Sequence, residues 1–134
     1  MQIKRPVAVV AIVTETFKKE LIDELEASIE EVNNNQQALD SQARRYLLQL
    51  QSTDLTQSSA FRRQVEVEKA KMDQVKAERK AQLEAAQNLE IGSEFPRGTV
   101  ESVVDLNVGD NLFDRLGKAE IVVKDDVIVE IRGE

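Results

Sequence analysis

Residues 15–91 constrain the fold more than any other part of the chain, because they contain no glycine and no proline. Ala, Leu, Glu, Gln, Lys and Arg dominate this stretch, and these are the residues that favour helix most strongly. A segment of this length and composition is typical of long helices. It takes up more than half of a chain of 134 residues, so only a small globular part can form from the two flanking segments.

The apolar residues in the first half of this stretch repeat every seven positions, as the a and d positions of a coiled coil do. One series is Ile22, Ile29, Gln36, Ala43 and Leu50, and the other is Leu25, Val32, Leu39, Tyr46 and Thr53. A narrow apolar stripe on a polar helix is buried only against another helix. The pattern therefore predicts helix–helix packing. A less regular seam continues through Phe61, Val65, Met72, Val75, Ala86 and Leu89.

Residues 51–59 interrupt the stretch near its midpoint with Ser, Thr, Asp and Gln, whose side chains compete for nearby backbone groups and favour caps and turns. We predict an antiparallel hairpin of two helices with a turn near 52–59. The alternative is one continuous helix that pairs with a second chain. We prefer the hairpin because it brings the flanking segments together. The register that follows places Leu50 opposite Phe61, Tyr46 opposite Val65 and Leu39 opposite Met72.

The N-terminal flank has the pattern of a β-strand over residues 3–13, because Val and Ile are dense there. The run is apolar on both faces, which predicts a central strand. Lys4 and Arg5 precede the apolar run at 7–13, as they would in a secretory signal. That run is short and no small-residue cleavage site follows it, so we prefer the strand. Thr14, Glu15 and Thr16 are expected to cap the first helix.

The C-terminal flank begins at Gly92, which is expected to end the second helix, and a turn is predicted at 95–98. Strands are predicted at 99–106, 119–123 and 127–131, the last two forming a hairpin. Asp110 or Asn111 is expected to cap a short helix that Gly117 closes. We predict an α+β fold. Residues 1–14 and 92–134 would form a small, strongly bent sheet or SH3-like β-barrel module, and the hairpin arm 15–91 would be inserted into it.

The composition argues against most catalytic sites. The chain contains no Cys, His or Trp, so thiolate nucleophiles, sulfur-bound zinc and the commonest general base are excluded. Carboxylates remain as ligands for hard metals. However, no calcium-loop, Walker or nucleophile-elbow motif is present. We therefore predict no catalytic, cofactor-binding or metal-binding residues and a protein that is not an enzyme. No stretch approaches a transmembrane span, and we expect a cytoplasmic location.

Two features of the arm are candidates for contacts. Residues 33–37 read Asn-Asn-Asn-Gln-Gln, which is unusual inside a helix and fits either a solvated turn of helix or a polar contact surface. The second feature is a charge asymmetry, because Arg44, Arg45, Arg62 and Arg63 would cluster near the tip of a hairpin. They would either pair with neighbouring side chains or contact an anionic partner, although the net charge of the chain is −7.

Several segments together resemble a known family. They are the valine-rich strand at 7–13, the polar helical stretch, Val-Gly-Asp at 108–110 and Lys-Asp-Asp at 124–126. Across essentially the whole chain, the sequence resembles the YlqD family of uncharacterised bacterial proteins in a cyanobacterium-like version. The resemblance implies no functional residues. In some bacteria the family's gene lies among genes for ribosome maturation and protein targeting, which implies a connection to RNA or the ribosome.

Two hypotheses for function follow. In the first, the protein is a non-enzymatic interaction or scaffold protein whose coiled-coil arm binds a protein partner or a second copy. In the second, it is a ribosome- or RNA-associated factor that contacts anionic backbone through Arg44, Arg45, Arg62 and Arg63. A metal-dependent enzyme built on carboxylates is a third and weaker alternative.

Overall fold

The computed structural model describes residues 1–50 and 55–133. In chain order the elements are β1 (Gln2–Ile12), α1 (Glu15–Leu50), α2 (Leu55–Gln87), β2 (Glu94–Asp105), α3 (Leu112–Arg115), β3 (Ala119–Lys124) and β4 (Val127–Arg132). They fall into two compact units, Met1–Lys19 with Leu89–Glu134, and Glu20–Asn88. The first is called the sheet module here and the second the hairpin arm.

The two long helices confirm the predicted hairpin. Contacts between them run in opposite directions along the sequence: Asn33 meets Lys76, Gln36 meets Asp73 and Tyr46 meets Phe61. The helices are therefore antiparallel, and the alternative of one continuous helix is wrong. Residues 55–59 of the predicted turn belong to α2. The rest of that turn, at 52–54, lies outside the described residues.

Four strands form the sheet module in the order β2-β1-β3-β4. β1 pairs antiparallel with β2 and parallel with β3, and β3 pairs antiparallel with β4. β1 therefore has a neighbour on each side, as its two apolar faces predicted. The sheet is open, with β2 and β4 at its edges. The SH3-like barrel was a wrong prediction, because β2 and β4 do not pair with each other and the sheet does not close.

The open sheet is strongly curled, as the alternative prediction of a bent sheet required. Arg132 on β4 forms an ion pair of 2.7 Å with Glu94 on β2. Neighbouring strands are about 4.8 Å apart, so three strand spacings in a flat sheet would separate these backbones by roughly 14 Å even without an offset along the strands. The side chains meet because the sheet curls.

The predicted turn at 95–98 is wrong, since these residues belong to β2. Pro96 is tolerated there because β2 is an edge strand and the residue lies at a bulge, two of the positions in a sheet where proline is found. Val9 pairs with Gly98 and Val10 with Pro96, so Arg97 is an extra residue that makes a bulge. Gly98 has a φ of 118°, which suits glycine at such an irregularity.

Local signals explain where the elements start and turn. The Thr14 hydroxyl accepts a hydrogen bond of 3.0 Å from the Phe17 N–H and so caps α1, while Thr16 lies inside the helix. Asn111 caps α3 through its side-chain oxygen. α2 ends at Gln87, before the predicted stop at Gly92. The β3–β4 hairpin turns at Asp125 and Asp126, whose φ values of 48° and 68° fit a type I′ turn.

Candidate functional site

The middle of the hairpin arm is held by polar contacts between α1 and α2. The Lys76 amine donates to Asn33 Oδ1 and Gln36 Oε1, both at 2.9 Å. The Gln36 amide nitrogen donates to Asp73 Oδ1 at 2.6 Å. The Asn-rich run therefore faces the second helix through Asn33 and Gln36. A seam that carries specific polar pairs fixes the relative position of two helices more firmly than aliphatic contacts alone.

One aromatic contact departs from the predicted register. The Tyr46 and Phe61 rings meet edge to face, with centroids 4.5 Å apart. The heptad pattern placed Tyr46 opposite Val65 and Leu50 opposite Phe61. Phe61 thus contacts Tyr46, which lies about one helical turn before Leu50, its predicted partner. Both rings do lie on the seam, as expected, although Tyr46 remains 45% exposed.

A groove lies between α1 and α2 on one side of the arm, with a volume of about 550 Å³. Each helix contributes four side chains at the spacing i, i+3, i+4 and i+7, which is one face of a helix over two turns. This spacing makes the groove an elongated channel along the helices. The lining residues are Asp40, Ala43, Arg44 and Leu47 from α1, and Arg62, Val65, Glu66 and Lys69 from α2.

The floor of this groove is apolar and its rim is charged. Ala43 and Val65 are buried, at 5% and 7% exposure, and Leu47 is half-buried beside them. Asp40, Arg44, Arg62, Glu66 and Lys69 surround this floor. An apolar strip flanked by charges is the arrangement that binds one face of an amphipathic helix.

The charges on the rim are not equivalent. Lys69 forms an ion pair with Asp40. The hydrogen bond that the Lys69 amine donates to Asp40 raises the pKa of Lys69, and the nearby Glu66 carboxylate raises it further. Asp40 and Lys69 therefore largely neutralise each other. Within residues 1–50 and 55–133, Arg44 and Arg62 have no ion-pair partner. Since Glu66 has no ion-pair partner among these residues either, the rim carries one net positive charge, from two guanidinium groups and one carboxylate.

The four arginines predicted as a contact patch are divided by the fold. Arg44 and Arg62 come from different helices and line the same groove. Arg45 and Arg63 are exposed but are not part of its lining. Sequence reasoning missed Leu47, Glu66 and the Asp40–Lys69 pair. The spacing i, i+3, i+4, i+7 could have grouped these residues on one face of each helix. It does not show which face of α1 meets which face of α2.

A second charged cluster lies on the sheet module around Arg132. Its guanidinium is within 2.7–3.4 Å of carboxylate oxygens of Glu94, Glu120 and Glu130. The hydrogen bond from Arg132 lowers the pKa of the Glu94 carboxyl, and its bonds to Glu94 and Glu130 raise the pKa of Arg132. The groups pair with each other, which marks the cluster as a link between strands.

In the part of the chain that the structure describes, no group of three or more carboxylates could hold a metal ion. No helix in the same residues is long and apolar enough to cross a membrane.

Comparison with known proteins agrees with this architecture. The model of the YlqD protein family matches residues 1–132. A crystal structure of a protein of unknown function from Synechococcus sp. WH 8102 is similar, with a TM-score of 0.87 and 26% identity. The match covers 98% of this chain and 94% of that one. A search of curated proteins finds no significant match. Since the family model spans almost every residue, the chain belongs to the YlqD protein family.

Proposed function

We propose that this protein is a non-enzymatic interaction protein and that the groove between α1 and α2 binds an acidic, amphipathic segment of a partner protein. The observation that carries the proposal is the combination of an apolar floor with two arginines, Arg44 and Arg62, that lie on opposite helices and have no ion-pair partner among the described residues. The apolar face of a partner helix would cover Leu47, above the already buried Ala43 and Val65. Its acidic residues would reach the guanidinium groups on either side.

The energetics favour a helix as the bound element. The groove follows the helix axes over two turns, and a third helix laid there would make a short three-helix bundle. Burial of Leu47 and of aliphatic groups from the partner supplies affinity, whereas the arginines supply orientation and selectivity for acidic sequences. Guanidinium groups suit this role because they bind carboxylates through two parallel hydrogen bonds.

The composition supports a binding role. The chain has no Cys and no His, which removes the usual nucleophile and general base from any site that the arm could form. Asp40, one of the two acidic residues in the groove, is paired with Lys69. We expect the protein to act in the cytoplasm.

A second candidate function is contact with RNA or the ribosome through the same end of the arm. The observation that favours it is that none of Arg44, Arg45, Arg62 and Arg63 has an ion-pair partner among the described residues. Phosphate backbones are bound by such unpaired cations without an apolar floor. In this case all four arginines would contribute about equally. A protein helix in the groove would depend on only two of them.

The four arginines therefore provide a matched test. Arg44→Glu with Arg62→Glu reverses the charge inside the groove. Arg45→Glu with Arg63→Glu makes the same change in charge just outside it. Tagged full-length protein and both double variants are incubated with cytoplasmic lysate, with and without ribonuclease, and the bound material is identified by mass spectrometry.

The proposal predicts a protein that is lost from the groove variant, kept by the outer variant and unaffected by ribonuclease. Such a protein should carry an acidic amphipathic helix. Equal loss in both variants, together with sensitivity to ribonuclease, would instead support the RNA candidate. Equal retention of all partners by both variants would refute both candidates.

A further inference from the structure

The side of α1 that faces away from α2 carries a repeating charge pattern. Pairs of adjacent residues recur there every seven positions, which places all of them on one face of the helix. The first two pairs are acidic, the third is uncharged and the fourth is basic. All eight residues are exposed, and they define the outer face of α1: Asp23-Glu24, Glu30-Glu31, Gln37-Ala38 and Arg44-Arg45.

The charges in the middle of this pattern are not used within the chain. Among residues 1–50 and 55–133, neither the acids Glu30 and Glu31 nor the bases Arg44 and Arg45 have an ion-pair partner. Arg44 follows Glu30 by 14 positions, which is about 21 Å along a helix. The two ends therefore cannot pair inside one copy of α1. A face with separate acidic and basic ends is complementary to the same face turned end to end.

We propose that two copies of this chain associate through their outer faces of α1, which pack antiparallel across a two-fold axis level with Gln37. In this register Glu30 lies opposite Arg44 of the second copy, and Glu31 lies opposite Arg45 of the second copy. The axis repeats both contacts, so four ion pairs form. Each pair joins residues at the same heptad position, which is the arrangement that flanks an antiparallel contact between identical helices.

The residues along the middle of the outer face satisfy the same symmetry. They lie between the two charged rows, and three of the four are small: Ala27, Asn34, Ser41 and Leu48. The register places Ala27 opposite Leu48 of the second copy, and Asn34 opposite Ser41 of the second copy. Leu48 is 71% exposed, so the pairing covers an apolar side chain that the hairpin leaves in water. Small central residues let the two helices approach closely enough for the flanking charges to meet.

The uncharged pair lies where a two-fold axis requires it. At the axis each residue meets its own copy, so a charge at this level would face the same charge. The Gln37 amide both donates and accepts hydrogen bonds and can therefore bond to Gln37 of the second copy. Ala38 places no bulky group against its own copy. Of the four residue pairs on the outer face, only this one lacks a charge.

This dimer goes beyond the proposed groove function and does not rest on it, although Arg44 borders both surfaces. The test begins with the mass of the full-length protein in low salt, because salt screens exposed ion pairs. A concentration of about 100 μM populates dimers whose dissociation constants are micromolar. The expected mass is twice 15.1 kDa.

Exchange of the charges tests the register. Glu30→Arg with Glu31→Arg sets arginine against arginine, and Arg44→Glu with Arg45→Glu sets glutamate against glutamate. Each double variant alone should therefore have the mass of one chain. An equimolar mixture of the two should form a heterodimer, since all four ion pairs are restored between them. Arg62→Glu, which changes the groove but not the outer face, should leave the wild-type dimer intact.

Introduced cysteines locate the axis. The chain has no cysteine, so Ala38→Cys on the outer face and Gln74→Cys at an exposed position on α2 each add a single thiol. With a short bis-maleimide linker, Ala38→Cys should form a covalent dimer and Gln74→Cys should remain a single chain. A wild-type mass of one chain would overturn the proposal. So would a mixture of the charge variants that stays monomeric, or a dimer that cross-links through position 74 and not through position 38.

Discussion

Val122 provides the sharpest test of how the sheet module is stabilised. It lies in β3 between Val10 of β1 and Glu130 of β4, and it is 1% exposed. Val122→Ala removes two buried methyl groups, worth about 0.8 kcal/mol each. The space they leave adds about 1 kcal/mol, because a small rigid sheet relaxes only in part. The free energy of unfolding of the module should fall by about 2–3 kcal/mol.

Val103→Ala is the matched control, because it makes the same change on β2 at a residue that is 57% exposed. Most of the Val103 side chain is in water already and no cavity forms, so the free energy of unfolding should fall by less than about 1 kcal/mol. Helices dominate the circular dichroism of this chain. Amide hydrogen exchange, read on peptides from β1 and β3, is therefore the suitable assay. Equal loss of protection in the two variants would contradict this account of the core.

Three further predictions concern the turns and the ion pairs. Asp126→Gly should raise the melting temperature, because the φ of 68° costs aspartate about 1 kcal/mol that glycine does not lose. Gly133→Ala should lower it and increase exchange in β4, since a Cβ there would overlap the Lys118 carbonyl oxygen. Arg132→Gln should be less stable than wild type at neutral pH. The difference in stability between the two proteins should narrow as the pH falls below 4.5, the ordinary pKa of Glu94.

The sign of the pH effect follows from the direction of the shift. The folded state lowers the pKa of the Glu94 carboxyl, so its pairing stabilises the protein above the ordinary pKa and is lost as the pH falls through the lowered value. A stability difference between wild type and Arg132→Gln that widens in acid would refute this.

For the Gly133→Ala prediction, Gly109→Ala is the control, because the φ of Gly109, 101°, is also positive but nothing lies near the added Cβ. Similar melting of both alanine variants would show that backbone strain alone accounts for the loss.

Much of the architecture could be predicted from the sequence because two signals were strong. The absence of glycine and proline from 15–91, together with the polar break after Leu50, indicated two helices. The alternation in the last strands indicated the hairpin at Asp125 and Asp126. The strand containing Pro96 was missed because Pro and Gly favour turns locally, and only the pairing with β1 shows that they occupy a bulged edge.

The details of the candidate site were harder to predict, for a physical reason. A heptad seam looks the same after a slide of one helical turn, so the pattern could not decide between Val65 and Phe61 as the partner of Tyr46. Contacts between Lys76, Asn33 and Gln36 accompany the observed alignment. They join residues that are far apart in sequence. Arg44 and Arg62 line one groove because the two helices meet in this alignment, which the heptad pattern does not specify.

The parallel pairing of β1 with β3 has a consequence for how the chain folds as it leaves the ribosome. Val7 pairs with Ala119 and Gln2 with Asp105, so the first strand to be made must wait for roughly a hundred further residues. At about 5–20 residues per second, that delay lasts on the order of 5–20 s. The contacts of the two helices are closer in sequence and can form during this time. A nascent chain of this protein therefore passes several seconds with an unpaired valine-rich segment, which makes early chaperone binding to that segment an expected step in its biogenesis.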